Sequence, residues 1–213
     1  MNNIKAAIFD LDGTLVDSMW VWEQIDIDYL SSKGHTPPPN LKDDITHLTF
    51  KQTAEYFKNR FNLPDSIEEI TSSWNSMAYN YYSTEVKLKE GAIDFLNKLK
   101  SSGIKIGLAT SNSIPLLEAT LKNNGIYDIF DAITVTDEVK KSKNNPDVYL
   151  LAAKKLNVQA KDCIVFEDII EAVKGAKLAG MKVVGVYDTH SDDQKDILKE
   201  TCDKYILSYN ELL

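Results

Sequence analysis

Short apolar segments alternate with helix-like segments over much of the chain, and this alternation limits the fold more than any other feature. Five apolar runs are candidate buried strands, at residues 4–9, 104–109, 132–135, 163–166 and 182–187. They are rich in Ile, Val, Ala and Phe, and near-continuous apolar runs are typical of strands covered on both faces. The pattern therefore predicts an α/β fold with a doubly wound parallel sheet.

Helix-like segments separate the later apolar runs. Patterns at residues 92–102, 115–124 and 169–179 each run into a glycine, and the pattern at residues 146–156 opens with Pro146. Glycine just past the last turn and proline in the first turn are expected at helix ends. Strand and helix thus alternate from residue 91 onward, as the doubly wound sheet requires.

Residues 16–86 interrupt this rhythm, because they contain helical patterns and no strand-like run. We therefore predict an α/β core made of residues 1–15 and 87–213, with an all-helical insertion at residues 16–86.

The charge balance restricts the partners of the chain. A formal net charge of −8 repels nucleic-acid backbones and anionic lipid, so neither is expected to bind. Cys163 and Cys202 lack the spacing of a metal site, and free buried cysteines are typical of a reducing cytosol. The N-terminus does not resemble a signal peptide, and no segment has transmembrane length. We expect a cytoplasmic protein that is a monomer or a weak homodimer.

The first apolar run leads into Asp10-Leu11-Asp12-Gly13. Carboxylates two residues apart point to the same side of an extended chain, and at the carboxyl end of a parallel strand that side faces the ligand crevice. A hard divalent cation relieves their mutual repulsion, and Gly13 allows a sharp turn that brings amides near an anion. An Asx turn at Asp12 and Gly13 explains the segment equally well.

Two further polar segments are candidates for binding phosphate. Ser111 and Asn112 follow the apolar run at 104–109, and a hydroxyl with backbone amides there can hold a phosphoryl oxygen. A helix N-cap at Ser111 or Ser113 is the alternative. Lys143 precedes a proline-initiated helix, so its ammonium either faces a phosphate or is solvated at the surface.

A second pair of acids, Glu167 and Asp168, directly follows the apolar run at 163–166. Adjacent acids at the end of a buried strand are costly to desolvate without a counter-charge. A metal ion supplies that charge, and the N-terminal dipole of the following helix is the alternative.

Together these segments resemble, in order and spacing, the motifs of the haloacid dehalogenase-like phosphatase superfamily. Residues 10–18 (Asp-Leu-Asp-Gly-Thr-Leu-Val-Asp-Ser) are similar to its first motif, Ser111 to the second, Lys143 to the third, and Glu167 with Asp168 to the fourth. The helical insertion resembles the cap of the subgroup that contains β-phosphoglucomutase and many small-metabolite phosphatases. This resemblance implies a Rossmann-like core at residues 1–15 and 87–213 and a helical cap at residues 16–86. Asp17 and Ser18, together with the segment near residues 86–90, would be the hinge strands between them. The resemblance covers essentially the whole chain.

The resemblance implies a magnesium-dependent phosphatase that acts on a small phosphorylated metabolite. Asp10 would be the nucleophile that forms an aspartyl-phosphate, and Asp12 the general acid that protonates the leaving oxygen and then activates water. The transferring phosphoryl group would be stabilised by Ser111, Lys143 and their neighbours. Those neighbours are Asn112 and Gly13.

The resemblance also implies a ligand set for Mg²⁺. The carboxylates of Asp10 and Asp168 and the backbone carbonyl of Asp12 would bind the ion, and Glu167 would bind it directly or through a water.

The predicted cap contains a loop that resembles a substrate-contacting loop of the family. His47 stands where family members often carry glycine, and we expect His47, Thr49 and Lys51 to be candidate substrate contacts. A helix-start or packing histidine is the alternative for His47. The fourth motif departs from the family pattern, because Ile169 and Ala172 occupy the places of the usual serine and glycine.

Three other functions stay open. A sugar-phosphate mutase must hold a second phosphate with cap cations, and the predicted cap shows no Arg/Lys pair in that pattern. A phospho-aspartate signalling module also joins acids, magnesium, a hydroxyl and a lysine on a parallel sheet, but the helical insertion and the acid at position 12 argue against it. A silent binding protein is disfavoured because acidic clusters destabilise a fold that does not use them.

Overall fold

The computed structural model describes residues 4–45 and 48–213. The chain folds into two compact units. The core unit comprises Met1–Met19 and Val86–Leu213, and the helical unit comprises Trp20–Glu85. Among the described residues, no helix is both long enough and apolar enough to cross a membrane.

A parallel sheet forms the centre of the core unit. The strands of the described chain are β1 (Ala6–Phe9), β2 (Val16–Asp17), β3 (Lys87–Leu88), β4 (Lys105–Thr110), β5 (Ala132–Val135), β6 (Cys163–Glu167), β7 (Lys182–Val186) and β8 (Lys204–Ile206). Six of them lie in the order β5-β4-β1-β6-β7-β8, and all neighbours are parallel. The short strands β2 and β3 form a separate antiparallel pair.

The helices of both units follow the same chain order. Their bounds are α1 (Val21–Ser32), α2 (Leu41–Ile45), α3 (Phe50–Arg60), α4 (Ile67–Thr84), α5 (Ala92–Ser101), α6 (Ile114–Asn123), α7 (Asp147–Lys155), α8 (Ile170–Leu178) and α9 (Lys195–Thr201). The α/β fold with a doubly wound parallel sheet is therefore confirmed. The sequence did not indicate the short helices α2 and α9, which have five and seven residues.

The helical unit is built around aromatic side chains. The indole of Trp74 on α4 packs edge-to-face against Tyr29, Phe50 and Phe57, with ring centroids 5.0–5.9 Å apart. Edge-to-face pairs of this kind add to the stabilisation that their buried area provides. Capping boxes start α3 and α4, because the side chains of Thr49 and Ser66 each accept the backbone N–H of the residue three positions on.

The position of β1 in the sheet decides where a site forms. This strand is wholly buried, with β4 on one side and β6 on the other. The chain runs from β1 to β4 and β5 on one side and then crosses to β6 on the other side of β1. Such a switch point opens a crevice at the carboxyl ends of the strands. Asp10, directly after β1, and Glu167, at the end of β6, both lie at that edge.

Candidate functional site

A tight turn follows β1 and shapes the edge of the crevice. The backbone N–H of Gly13 donates to the Val16 carbonyl, and the N–H of Val16 donates to the Leu11 carbonyl, each at 3.0 Å. Gly13 has φ +76°, and a Cβ on it would overlap the carboxylate of Asp168. Glycine is therefore required here both for the backbone conformation and for the close approach of Asp168.

Three buried carboxylates converge beside this turn. Asp10, Glu167 and Asp168 each offer an oxygen, and these oxygens lie within 4.8 Å of one another. The ammonium Nζ of Lys143 lies 2.6 Å from Asp10 Oδ1 and also donates to Glu167 Oε1. The hydroxyl of Thr14 donates to Asp168 Oδ1 at 2.9 Å. Strands β1 and β6 thus bring together residues that are more than 150 positions apart.

The cluster holds more negative than positive charge. Three carboxylates face one ammonium, so the fully ionised cluster has an excess of negative charge. Burial, together with the negative charge of the neighbouring Asp10, raises the pKa of Glu167 to about 8 and that of Asp168 to about 7. Burial alone would lower the pKa of Lys143, but the carboxylates of Asp10 and Glu167 outweigh it and raise that pKa.

The oxygen donors of the cluster suit a hard divalent cation. Glu167 is fully buried, and its Oε2 accepts no hydrogen bond from any residue that the structure describes. A buried carboxylate oxygen without a donor is costly unless a cation or water contacts it. Carboxylate oxygens are also the donors that Mg²⁺ prefers. The residues present therefore fit the predicted metal.

Two contacts around Lys143 and Glu167 were not suggested by the sequence. On α8, Gly175 packs so closely that a Cβ there would overlap the carbonyl oxygen of Lys143. On α7, the buried hydroxyl of Tyr149 donates to Glu167 Oε1 at 2.7 Å. Sequence reasoning overlooked Tyr149, although a tyrosine on the buried stripe of a helix needs a hydrogen-bond partner, and this need was the available signal.

The carboxylate of Asp12 has partners that the three clustered acids do not share. Its Oδ1 accepts the hydroxyl of Ser18 at 2.6 Å, and its Oδ2 accepts the side-chain amide of Asn112 at 2.8 Å. The side chain of Asp12 is therefore not one of the three clustered carboxylates. This arrangement is compatible with the predicted metal contact of Asp12, which involves its backbone carbonyl and not its carboxylate.

The remaining predicted residues lie in two places. Ser111 is exposed directly after β4, and Ser113 is the N-cap residue of α6 without a capping side-chain hydrogen bond. Thr49 caps α3, and Lys51 is exposed in the first turn of that helix. His47 lies outside the described residues.

The acid that ends β6 and the acid that follows it, Glu167 and Asp168, do not cap the following helix. The N-cap residue of α8 is Ile169, which stands where the family usually has serine, and the N–H of Ile170 donates to the side chain of Gln194. Ala172, at the place of the usual glycine, is fully buried. Asp168 therefore interacts with the acidic cluster and with Thr14. It does not form a side-chain cap on α8, which was the alternative considered from the sequence.

The chain is similar to known proteins over most of its length. A family model described as haloacid dehalogenase-like hydrolase matches residues 7–186. A Bacillus subtilis (strain 168) protein, YhcW, which carries a provisional phosphatase name, is 33% identical over 183 residues, or 85% of this chain and 82% of that protein. Hexitol phosphatase B of Escherichia coli (strain K12) is 30% identical over 186 residues, or 86% of this chain and 83% of the enzyme.

A solved structure from Thermotoga maritima, provisionally named as a beta-phosphoglucomutase, has the same architecture. It superposes with a TM-score of 0.86 at 27% sequence identity, and the match covers 95% of this chain and 94% of the other. The similarity thus extends over both units of the chain.

Proposed function

Since this chain belongs to the haloacid dehalogenase-like hydrolases, we propose that it is a magnesium-dependent phosphatase that hydrolyses a small phosphorylated metabolite through an aspartyl-phosphate on Asp10. The observation that carries the proposal is the buried set of Asp10, Glu167 and Asp168 with Lys143 at the carboxyl edge of β1. We also propose that the helical unit is the cap of the enzyme, and that β2 and β3 are its hinge.

The proposed reaction has two steps. In the first, a carboxylate oxygen of Asp10 forms a bond to phosphorus while the bond from phosphorus to the ester oxygen breaks, and Asp12 gives its proton to that leaving oxygen. In the second, Asp12 takes a proton from water as the water oxygen attacks phosphorus, and the bond to Asp10 breaks. Inorganic phosphate leaves, and both carboxyl groups return to their starting states.

The other residues of the site bind and neutralise charge. The ammonium of Lys143 and the hydroxyl of Ser111 are proposed to stabilise the phosphoryl oxygens, which carry the charge of the transition state, with Gly13 supplying backbone amides. Asp10, Asp168, Glu167 and the backbone carbonyl of Asp12 are the proposed ligands of Mg²⁺. When bound, the ion neutralises charge on the phosphoryl oxygens and on its carboxylate ligands. In the helical unit, Thr49, Lys51 and His47 remain proposed substrate contacts.

A sugar-phosphate mutase is the second candidate, and the similarity to the Thermotoga maritima structure favours it. The two activities give different products from the same compound. With a hexose 1-phosphate, a mutase forms the 6-phosphate isomer, while a phosphatase releases inorganic phosphate and free sugar. We favour the phosphatase because the two relatives with phosphatase names are more similar in sequence, at 33% and 30% identity, than the mutase-named structure, at 27%.

The proposed function is tested by measuring phosphate release from a panel of phosphomonoesters. The panel contains hexitol phosphates, hexose phosphates, a pentose phosphate and a nucleoside monophosphate, each assayed with MgCl₂ and with excess EDTA. We expect release from at least one sugar or sugar-alcohol phosphate with Mg²⁺ and none with EDTA. Full activity in EDTA would contradict the magnesium requirement, and no release from any ester would contradict the phosphatase.

Magnesium should also stabilise the fold in the absence of substrate. Because the ion offsets the excess negative charge of the cluster, saturating MgCl₂ should raise the Tm of the wild type by about 5–10 °C relative to KCl at matched ionic strength. Asp168→Asn removes a proposed ligand and should lose most of this shift. The control Asp94→Asn, on the exposed face of α5, should keep it. An equal shift in both variants would place the ion elsewhere.

A further inference from the structure

We propose that Asn112 and Ser18 are positioning residues that hold the carboxyl group of Asp12 for proton transfer, a role that rests on the proposed function. The sequence suggested Asn112 as a phosphate ligand and Ser18 as part of the hinge. In the structure, both side chains donate to Asp12, one to each carboxylate oxygen. Asp12 is thereby fixed in orientation on two sides.

The amide of Asn112 is oriented by its own neighbours. Its side-chain oxygen Oδ1 accepts the backbone N–H of Ser113 at 2.7 Å, and its backbone N–H donates to the hydroxyl of Thr110 at 3.0 Å. With Oδ1 engaged by a donor, the NH₂ group must be the end that faces Asp12 Oδ2. The orientation is therefore set before any substrate binds, by the backbone at the start of α6.

The hydroxyl of Ser18 is held by the turn that follows β1. The backbone hydrogen bonds of residues 11–16 reverse the chain, and β2 then continues into Ser18, which is 1% exposed. Its Oγ reaches Asp12 Oδ1, six residues earlier in the chain. A buried serine at this place has a hydrogen-bonding role, because an unpartnered buried hydroxyl is costly.

The two donors matter because an acid catalyst must meet the leaving oxygen in one geometry. The carboxyl group of an aspartate rotates about χ2, and the distribution of this torsion angle is broad and roughly two-fold. A misplacement of about 1 Å of a reacting group can lower a rate by about 100-fold. Donors on both oxygens restrict that rotation and hold the carboxyl group of Asp12 in one orientation.

A comparison of kcat/KM between an alkyl phosphate and an aryl phosphate separates this positioning role from general structural damage. An alkoxide must be protonated as it leaves, whereas p-nitrophenolate leaves without a proton. For Asn112→Ala and Ser18→Ala we expect kcat/KM to fall about 10- to 100-fold with the best alkyl phosphate of the panel. With p-nitrophenyl phosphate, the fall should stay within about 3-fold, since that first step makes little use of Asp12.

A matched control and a double variant complete the test. Asn210→Ala breaks an amide–carboxylate hydrogen bond of the same 2.8 Å length, to Glu90, and should leave the alkyl-to-aryl ratio of kcat/KM unchanged. In an Asp12→Asn background, Asn112→Ala should cause no further loss with the alkyl ester, because the group it positions is absent.

The outcomes distinguish this inference from the proposed function. Equal losses with both esters, or full additivity with Asp12→Asn, would overturn the positioning role and leave the phosphatase intact. If the wild type hydrolyses neither ester, the proposed function fails and the positioning role fails with it.

Discussion

Asp10→Asn should abolish turnover while leaving the fold intact. The asparagine amide has the shape of the carboxylate but is a far weaker nucleophile, so no acyl-phosphate forms. We expect kcat to fall by about 10⁴-fold or more, as is typical when the nucleophile of a catalytic set is removed. The variant should still fold, because its side-chain oxygen can accept the ammonium of Lys143, which lies 2.6 Å from Asp10 Oδ1 in the wild type.

The measurement has two parts. Phosphate release is followed with the best substrate of the panel, and the wild type is quenched in acid during turnover to look for phosphate bound to the protein. Only the wild type and the exposed-site control Asp94→Asn should retain label from a ³²P-labelled substrate. Substantial activity in Asp10→Asn would remove the covalent mechanism, and a folded but inactive variant with bound label would place the nucleophile on another residue.

The sequence predicted the sheet well because buried parallel strands produce long apolar runs. Each of the five apolar runs contains a strand in the structure. Strand β8 was not predicted, because it has three residues, of which only Ile206 is buried, and therefore produces no comparable apolar run. The short helices α2 and α9 escaped prediction for a similar reason, since a single turn or two leaves no visible periodicity.

The candidate site was less predictable, because side-chain partners depend on packing between distant segments. The convergence of Asp10 with Glu167 and Asp168 follows from two neighbouring strands that end at one edge. The hydrogen-bond partners of Asp12 do not follow from the strand order, because the direction of the Asn112 amide depends on the backbone of the residues beside it. A local sequence pattern cannot specify which of two nearby anions, phosphate or carboxylate, an amide will meet.

Lys143→Met should destabilise the metal-free protein as well as inactivate it. Methionine keeps most of the side-chain volume but removes the ammonium that contacts Asp10 and Glu167. Breaking a buried ion pair leaves uncompensated charge, and the unfolding free energy should fall by about 3–5 kcal/mol. The control Lys141→Met, two residues earlier with a half-exposed side chain paired to Asp147, should lose less than about 1 kcal/mol.

The pH dependence of this deficit provides a second, independent measurement. The folded-state pKa of Glu167 is raised to about 8 and that of Asp168 to about 7, so the folded protein retains protons that the unfolded chain has lost. The stability that metal-free wild type derives from these groups is therefore present at low pH and declines as pH rises through about 4–8. Without the ammonium of Lys143, the pKa of Glu167 rises further, so the decline should extend to higher pH.

Urea unfolding of wild type and Lys143→Met in EDTA at pH 6 and pH 8.5 measures this difference directly. We expect the larger gap at pH 8.5, where deprotonation of Glu167 is most costly in the variant. In Mg²⁺ the variant should also lose about 10²–10³-fold in kcat, because the ammonium no longer stabilises phosphoryl charge. A gap that is independent of pH would contradict the predicted electrostatic coupling between Lys143 and Glu167, and the contact between these two residues would then be energetically neutral.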